Sequence, residues 1–489
     1  MMLSTLLDGI AKISAEKDCE ISSITIDSRE AVHGSLFVAL KGTQQHGLDY
    51  ASAVAEQGAS AIIWESDETV EVQELSLAQL EINDLREVLG EVANRFYNSP
   101  SQKLNVVGIT GTDGKTSISH FVSQALESCA VMGTIGIGLL DDLQAATHTT
   151  PDVINTHKNI ATMQSQNIQS LAMEVSSHAL DQGRVAGVNF DVAVLTNLTR
   201  DHLDYHGTVE AYAEAKAKLF AWPDLKALVL NLDDEFGRKM LEKWEGVFSG
   251  SIIAYGVGAV TDYPADSLVA ENAVFDNSGI SAQIHFEGQQ VELNAGVLGR
   301  FNLSNLLATL GAMLGLGQSL EDAVAQLCKV ETVPGRMEKV SDTDVLTVVD
   351  YAHTPNALET VLKALREHTQ NKLICVFGCG GDRDTGKRPM MAKIAEDNAD
   401  VVIVTDDNPR SENPETIMQD IVAGFINPDE INVEHDRASA IDKALKTAKS
   451  GDTVLIAGKG HENVQILATG TVPFSDREQA NKVLQELVA

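Results

Sequence analysis

The stretch "VVGITGTDGKTS", Val106 to Ser117, narrows most sharply what this chain can become. An apolar, β-branched run ends in a glycine-rich turn, and a Lys-Thr pair opens a helical stretch. A strand that feeds a helix in this way belongs to a parallel sheet, because a parallel neighbour is reached only by a long crossover. The turn also carries chemistry. Its backbone N–H groups, with a helix N-terminus behind them, suit phosphate oxygens. Gly111, Thr112, Asp113, Gly114, Lys115, Thr116 and Ser117 are the expected nucleotide loop, with Lys115 on the terminal phosphates and the Thr116 hydroxyl on Mg²⁺. The strict phosphate-loop pattern wants glycine at position 109, where this chain has Ile109 between Gly108 and Gly111. A glycine-rich turn that only happens to contain Lys-Thr is the alternative.

The same alternation recurs along the chain. "SITIDSRE", "GSLFVALKG" and "ASAIIWE" read as strands around a helix in "LDYASAVAEQG". "NVVGIT", "SLAMEV", "DVAVLTN" and "KALVLNLDD" form a second series, and a long helix is expected after "GRFNLSN". "VLTVVDYAH", "LICVFGCGG", "DVVIVTDDN" and "DTVLIAGKG" form a third. Breaks at "RFYNSPSQKL" and "TVPGRMEKV" divide an α/β chain into domains 1–99, 100–332 and 333–489. In open α/β sheets, ligands lie outside the carboxyl ends of the strands. "DYAH", "GCGGDRD", "DDNPR" and "GKGHE" all fall there.

Charge and cysteine content exclude several classes. Acidic residues outnumber basic ones 70 to 36, a net charge of −34. That argues against nucleic-acid partners and anionic membrane surfaces, and it requires cations to be gathered locally if phosphates are the ligands. Five widely spaced cysteines make no disulfide framework and fit a reducing cytoplasm. Cys375 and Cys379 lack a second pair to complete a zinc site. The opening "MMLSTLLDGIAKISAEKD" has no basic start, so no signal peptide is expected, and no run of about 18 apolar residues spans a membrane.

"GITGTDGKTS", "MEVSSHAL", "TNLTRDHLDYHG", "YAEAKAKLF", "GRFNLSN", "VPGRME", "VDYAHTP", "FGCGGDRD" and "GKGHE" run in order through nearly the whole chain. Together they resemble the Mur ligases, the ATP-dependent enzymes that build the peptidoglycan stem peptide. Within that family, "IDSR" and "GSLFVALKG" resemble the uridine-nucleotide domain of the members that add the third residue. The resemblance implies a small N-terminal α/β uridine-nucleotide domain, a central P-loop ATPase-like parallel sheet and a C-terminal Rossmann-like open α/β domain. It implies ligation of meso-2,6-diaminopimelate to UDP-N-acetylmuramoyl-L-alanyl-D-glutamate through an acyl phosphate, with ATP and Mg²⁺, in cytoplasmic cell-wall precursor synthesis by a monomer. Lysine-adding members of the same family are the alternative. Such a reaction asks little of a protein nucleophile and much of positioning and charge neutralisation.

The resemblance also assigns residues. Glu174 holds Mg²⁺ opposite Thr116, where the residues alone also allow a helix-capping carboxylate. His202 becomes a ligand of a second Mg²⁺, although spacing alone makes it a polar loop residue. Lys216 becomes a carbamylated metal ligand, although by itself it reads as a surface lysine, like Lys218. Asn302 is expected near the adenine, and Arg336 and Asp350 on ATP. His353 is either a general base or a nucleotide-positioning residue. Lys115, Glu174, Lys216 and His353 are the catalytic set. Ser28 and the turn Thr43, Gln44, Gln45 contact the uridine-diphosphate part of the acceptor, with His46 standing where relatives often carry an acid. Thr149 and Thr150, with Ser176, Gln182 and Arg184, hold the muramoyl-dipeptide; His148 replaces a frequent Asn, and a plain strand end before Pro151 is the competing reading.

Diaminopimelate is lysine-shaped with an extra carboxylate, which calls for a cation, and Arg recognises carboxylates in bidentate fashion. The loop Asp407, Asn408, Pro409, Arg410 resembles the diaminopimelate-type motif. Arg383 is expected on the carboxylate at the reacting end, and Gly458 and Glu462 on the far carboxylate and ammonium. Lysine there would leave a buried Arg unpaired, a penalty on the order of 2–5 kcal/mol. Ser411 to Glu415 reads as ordinary surface turn.

Overall fold

Four short parallel strands open the chain: β1 (Ser23–Thr25), β2 (Ser35–Ala39), β3 (Ala61–Glu65) and β4 (Ala78–Ile82), side by side in that order. The computed structural model describes all residues but 43–44, 67–71, 342–343 and 489, with the side chains of Glu430 and Val488 also left aside. It divides into two units, Met1–Ala254 with Gly311–Gln318, and Tyr255–Leu310 with Ser319–Ala489.

The first unit continues with β5 (Asn105–Thr110), β6 (Cys129–Met132), β7 (Ile137–Gly138), β8 (Ser170–Glu174), β9 (Val192–Leu195), β10 (Ala227–Asn231) and β11 (Ser251–Val257), whose last residues pass into the second unit. Their order is β11-β10-β9-β5-β8-β6-β7. β5 pairs in parallel with both β8 and β9, so the phosphate-loop strand lies inside the sheet. Val106, Leu171, Ala193 and Leu228 meet Ile160, Met163, Leu219 and Phe220 of the covering segments in one apolar layer. Each of these except Ala193 contributes about 1.5–3 kcal/mol on burial. Gly108 is needed there: a Cβ would stand 2.8 Å from the Phe190 ring.

The second unit holds an antiparallel meander, β12 (Leu268–Asp276), β13 (Gly279–Phe286) and β14 (Gln289–Ala295). It was not among the expected strands. Its residues alternate buried and exposed, so it lacks the continuous apolar runs of the parallel strands. A further sheet of β15 (Glu338–Ser341), β16 (Leu346–Asp350), β17 (Leu373–Phe377), β18 (Val401–Val404), β19 (Asn432–Val433) and β20 (Thr453–Ala457) has the order β15-β16-β20-β17-β18-β19. Only its β15–β16 edge is antiparallel. The period of two is explicit. Cys375, Phe377 and Leu455 join one core and Ile374, Val376 and Ile456 the other, so helices cover both faces. β21 (Val464–Leu467) and β22 (Gly470–Pro473) form a hairpin after "GKGHE".

The long helix runs over Arg300–Gly315 and so starts inside "GRFNLSN", not after it. Gly299, at φ +90°, ends the preceding turn, and the helical bonding begins at once with Asn302 N–H donating to the Gly299 carbonyl. No helix among the described residues is long and apolar enough to cross a membrane.

Candidate functional site

The expected site residues gather in two constellations, one in each unit. In the first, β5 ends at Thr110 and the chain turns through Gly111 to Gly114 into the helix Lys115–Ala125. Gly111 has φ +148°, and a Cβ there would fall 1.8 Å from Thr196 Oγ1. The loop is pinned to the next strand end: Thr112 N–H donates to the Asn197 carbonyl, Asp113 N–H to Asn197 Oδ1, and Thr196 Oγ1 to the Asp113 carbonyl. Lys115 Nζ donates to the carbonyls of Gly111 and Thr112, each at 2.8 Å.

Glu174 ends β8, buried. Its carboxylate accepts from Thr116 Oγ1 at 3.1 Å and from Thr134 through both N–H (2.9 Å) and Oγ1 (3.1 Å). Thr134 Oγ1 also lies 3.1 Å from Thr149 Oγ1. Gly133 makes room for this, since its Cβ would stand 2.1 Å from Glu174 Oε1. Thr134 was not among the expected residues; its signal is a Gly-Thr just past the carboxyl end of β6. The donor set is oxygen, partly buried and anionic, and it fits a hard cation such as Mg²⁺.

Lys216 is not a surface lysine. It is 1% exposed, donates to the Gly111 carbonyl at 2.7 Å and lies 4.5 Å from the Tyr212 ring centre. Burial, and then the charge of Lys115, lower its pKa to about 6. Lys218 is exposed and pairs with Asp181. His202 takes the left-handed conformation at φ 51°, edge-on to His178 at 4.8 Å, with Nε2 3.5 Å from Asp201. Thr116 and Glu174 are therefore joined directly, while His202 meets His178, Asp201 and the Tyr212 ring. Among the described residues, no group of three or more His, Cys, Asp or Glu is arranged to hold a metal ion.

Ser28, in a single turn capped by Asp27, and Gln45 line a cleft of about 970 Å³. Gln182 and Arg184, with Arg86, line a pocket of about 320 Å³, and Ile26, Leu40, His148 and Asp152 border both. Thr43 and Gln44 lie outside the described residues. Thr150 Oγ1 donates to the Glu174 carbonyl at 2.8 Å and accepts from Ser176 N–H, and Arg184 donates to the Thr150 carbonyl and to Gln182 Oε1. The cleft wall and the Glu174 strand end are thus one bonded assembly. Ser176 also caps the short helix that follows. His46 is buried, accepts from Leu48 N–H and faces the Glu65 carbonyl, a capping role.

In the second unit, Asn302 is buried and its amide is engaged locally, donating to the Leu298 carbonyl and accepting from Asn305. Asp350 ends β16 and accepts from the N–H groups of Met337 and Ala352, both at 2.7 Å; burial raises its pKa. The Arg336 guanidinium lies 5.6 Å from the Tyr351 ring centre. His353 Nδ1 is 2.8 Å from the Tyr351 carbonyl, so a neutral ring carries its proton there and leaves Nε2 as the acceptor.

The loop after β18 is tightly held. Arg410, at φ 54°, lays its guanidinium on the Gly381 carbonyl at 2.8 Å, and a Cβ on Gly380 would meet it at 2.8 Å. Asp407 and Asn408 are buried, and burial raises the Asp407 pKa. Asn408 Nδ2 donates to Glu462 at 2.9 Å. Arg383 is exposed on the neighbouring loop, and Gly458 has φ +121°. Ser411 to Glu415 is not a plain turn. Ser411 donates to Asp382, Glu412 takes two bonds from the buried Arg388, and Glu415 meets His435.

Family models described as "Mur ligase family, catalytic domain", "Mur ligase middle domain" and "Mur ligase, glutamate ligase domain" match residues 20–97, 109–313 and 335–460. A UDP-N-acetylmuramoyl-L-alanyl-D-glutamate--2,6-diaminopimelate ligase of Ectopseudomonas mendocina is 45% identical over 96% of either chain. The chain belongs to the Mur ligase family. The same-named ligase of Pseudomonas aeruginosa is 47% identical over 96% of either chain, and that of Coxiella burnetii 44% over 99% of either. A solved Mur ligase of that name is 36% identical, covers 100% of this chain and 99% of its own, and superposes with a TM-score of 0.79. The UDP-N-acetylmuramoylalanyl-D-glutamyl-2,6-diaminopimelate--D-alanyl-D-alanyl ligase of Acinetobacter baumannii, 18% identical over 98% of this chain and 94% of its own, shares the fold at a TM-score of 0.60.

Proposed function

We propose that this Mur ligase joins meso-2,6-diaminopimelate to UDP-N-acetylmuramoyl-L-alanyl-D-glutamate at the expense of ATP. The observation that carries the amino-acid choice is Arg410, held by Gly381 on a loop where Asp407 and Asn408 are buried and Asn408 bonds Glu462. A guanidinium fixed in that way suits a second carboxylate, which lysine lacks. The relatives named above carry the same activity in their names. We also propose the domain boundaries 1–99, 100–332 and 333–489, a monomer, and a cytoplasmic location.

The loop Gly111 to Ser117 binds the phosphates of ATP through backbone N–H groups, and Lys115 swings from its own carbonyls to the terminal oxygens. Arg184, Gln182, Ser176, Thr149 and Thr150 orient the acceptor carboxylate, while Ser28 and Gln45 hold its nucleotide. That carboxylate takes the phosphoryl group, and the amine of the incoming amino acid then displaces phosphate. Thr116 and Glu174 would hold Mg²⁺, which when bound neutralises phosphate charge. Lys216, largely unprotonated at neutral pH, can add CO₂ through its lone pair and release one proton, becoming an anionic carbamate. Asn302, Arg336, Asp350 and His353 are nucleotide-binding residues in this reading. Arg383, Gly458 and Glu462 complete the amino-acid site.

The test is product mass. The protein is incubated with the UDP-muramoyl-dipeptide, ATP, Mg²⁺ and a panel of diamino acids. A gain equal to one diaminopimelate residue, with phosphate released only when both partners are present, is expected. A lysine adduct with no diaminopimelate adduct would overturn the reading.

A further inference from the structure

Lys459 lies between Gly458 and Gly460 with its side chain fully buried. Its ammonium donates to Asn408 Oδ1 at 3.0 Å and to Glu462 Oε2 at 3.1 Å, and stands 3.7 Å from Asp407 Oδ1. Asn408 Nδ2 closes the triangle on the same Glu462 oxygen. An ammonium only donates, so the Lys459 contact decides which end of the Asn408 amide faces Glu462. Burial alone would raise the Glu462 pKa, but the bonds from Asn408 and Lys459 outweigh it and keep the group anionic. Two carboxylates thus face one lysine. Asp407 Oδ1 has no hydrogen-bond partner among the described residues.

β21 braces the same loop from the other side. Gln465 Nε2 donates to the Asp407 carbonyl at 2.8 Å, Ile466 N–H to Asn408 Oδ1 at 3.0 Å, and Arg410 N–H to the Ile466 carbonyl at 3.0 Å. Every residue from Asp407 to Arg410 except the proline is therefore tied either to Lys459 or to β21. Arg410 holds a left-handed backbone that a non-glycine residue adopts only when its surroundings fix it.

We propose that Lys459 and β21 are the positioning frame of the amino-acid site, orienting Asn408, Glu462 and Arg410 toward the diamino acid. The inference rests on the amino-acid reading given above and adds a role for residues outside its substrate contacts. Steady-state kinetics with each substrate varied in turn tests it, alongside thermal melting. Lys459→Met keeps an unbranched side chain one atom shorter and removes the charge. It is expected to raise KM for diaminopimelate about 30-fold or more, leaving KM for ATP and for the UDP-muramoyl-dipeptide within about twofold. Gln465→Ala, on a partly exposed strand, is expected to raise the diaminopimelate KM roughly 3- to 10-fold. A purely structural role would lower the melting temperature and the active fraction without shifting that KM, and such a result overturns the frame. If Lys459→Met does not fold, an unchanged diaminopimelate KM in Gln465→Ala overturns it alone. Should the wild type join a different diamino acid, the earlier reading fails, and the frame is tested by the same comparison with that amino acid.

Discussion

His120 sits on the inner face of the helix that follows the phosphate loop, 3% exposed. Burial lowers its pKa from 6.5 to about 4. The folded chain then binds fewer protons than the unfolded one between those values, so stability is full above pH 6.5 and falls as the pH drops toward 4. The loss is on the order of 3 kcal/mol, and melting curves across that range should be flatter for His120→Leu than for the wild type. Lys216 makes the complementary case, with its pKa lowered to about 6. Arginine cannot give up its proton or carry CO₂, so Lys216→Arg is expected to lose activity about 100-fold or more. Removal of dissolved CO₂ should slow the wild type reversibly and leave the variant unchanged. The sequence could not show which lysine of "YAEAKAKLF" points inward. Residues 216 and 218 lie on different helix faces, and only the resemblance to the Mur ligases selected the first.

Two buried arginines show why the elements around the amino-acid loop differ in vulnerability. Arg388, on the helix Lys387–Asn398, pairs with Glu412 and Asp420, whose side chains are 23% and 43% exposed. Arg437, at the start of the helix Arg437–Thr447, makes two bonds to Asp476, and both side chains are fully buried. When Arg388 is replaced by Met, its partners regain water, and the expected cost is about 1–3 kcal/mol. Arg437→Leu instead strands a carboxylate in the interior, and a cost of about 3–5 kcal/mol is expected; adding Asp476→Leu should recover most of it. Denaturant titrations of the three variants check the order. Sequence reading found the strands that these helices cover, because β16, β17, β18 and β20 are continuous apolar runs. It passed over β12 to β14, whose half-exposed alternation looks like loop, and it took Ser411 to Glu415 for a surface turn. A polar residue near a turn gives no sign that its partner, here Arg388, is buried some twenty residues away in sequence.

At the scale of the whole molecule, the net charge of −34 opposes the two polyanions that the proposed reaction uses, ATP and the UDP-muramoyl-dipeptide. Local structure answers it: Lys115 is held at the phosphate loop by the Gly111 and Thr112 carbonyls in one unit, and Arg410 is fixed on Gly381 in the other. The motifs made these residues legible, but their effect depends on burial and on dipoles that composition does not carry, as the unpredicted Thr134 and Lys459 contacts illustrate. The two scales respond differently to salt. Repulsion between the acidic surface and an approaching polyanion acts over tens of ångströms and is screened once the Debye length falls from about 30 Å at 0.01 M to about 8 Å at 0.15 M. Contacts within hydrogen-bond distance in partly buried sites are screened far less. The second-order rate constant kcat/KM for the UDP-muramoyl-dipeptide should therefore rise a few-fold over that range of sodium chloride, with kcat nearly constant. A zwitterionic diaminopimelate, with no net charge to repel, should show almost no change in the same titration. If kcat/KM for the nucleotide substrate falls instead, the local cations, and not the acidic surface, govern its approach.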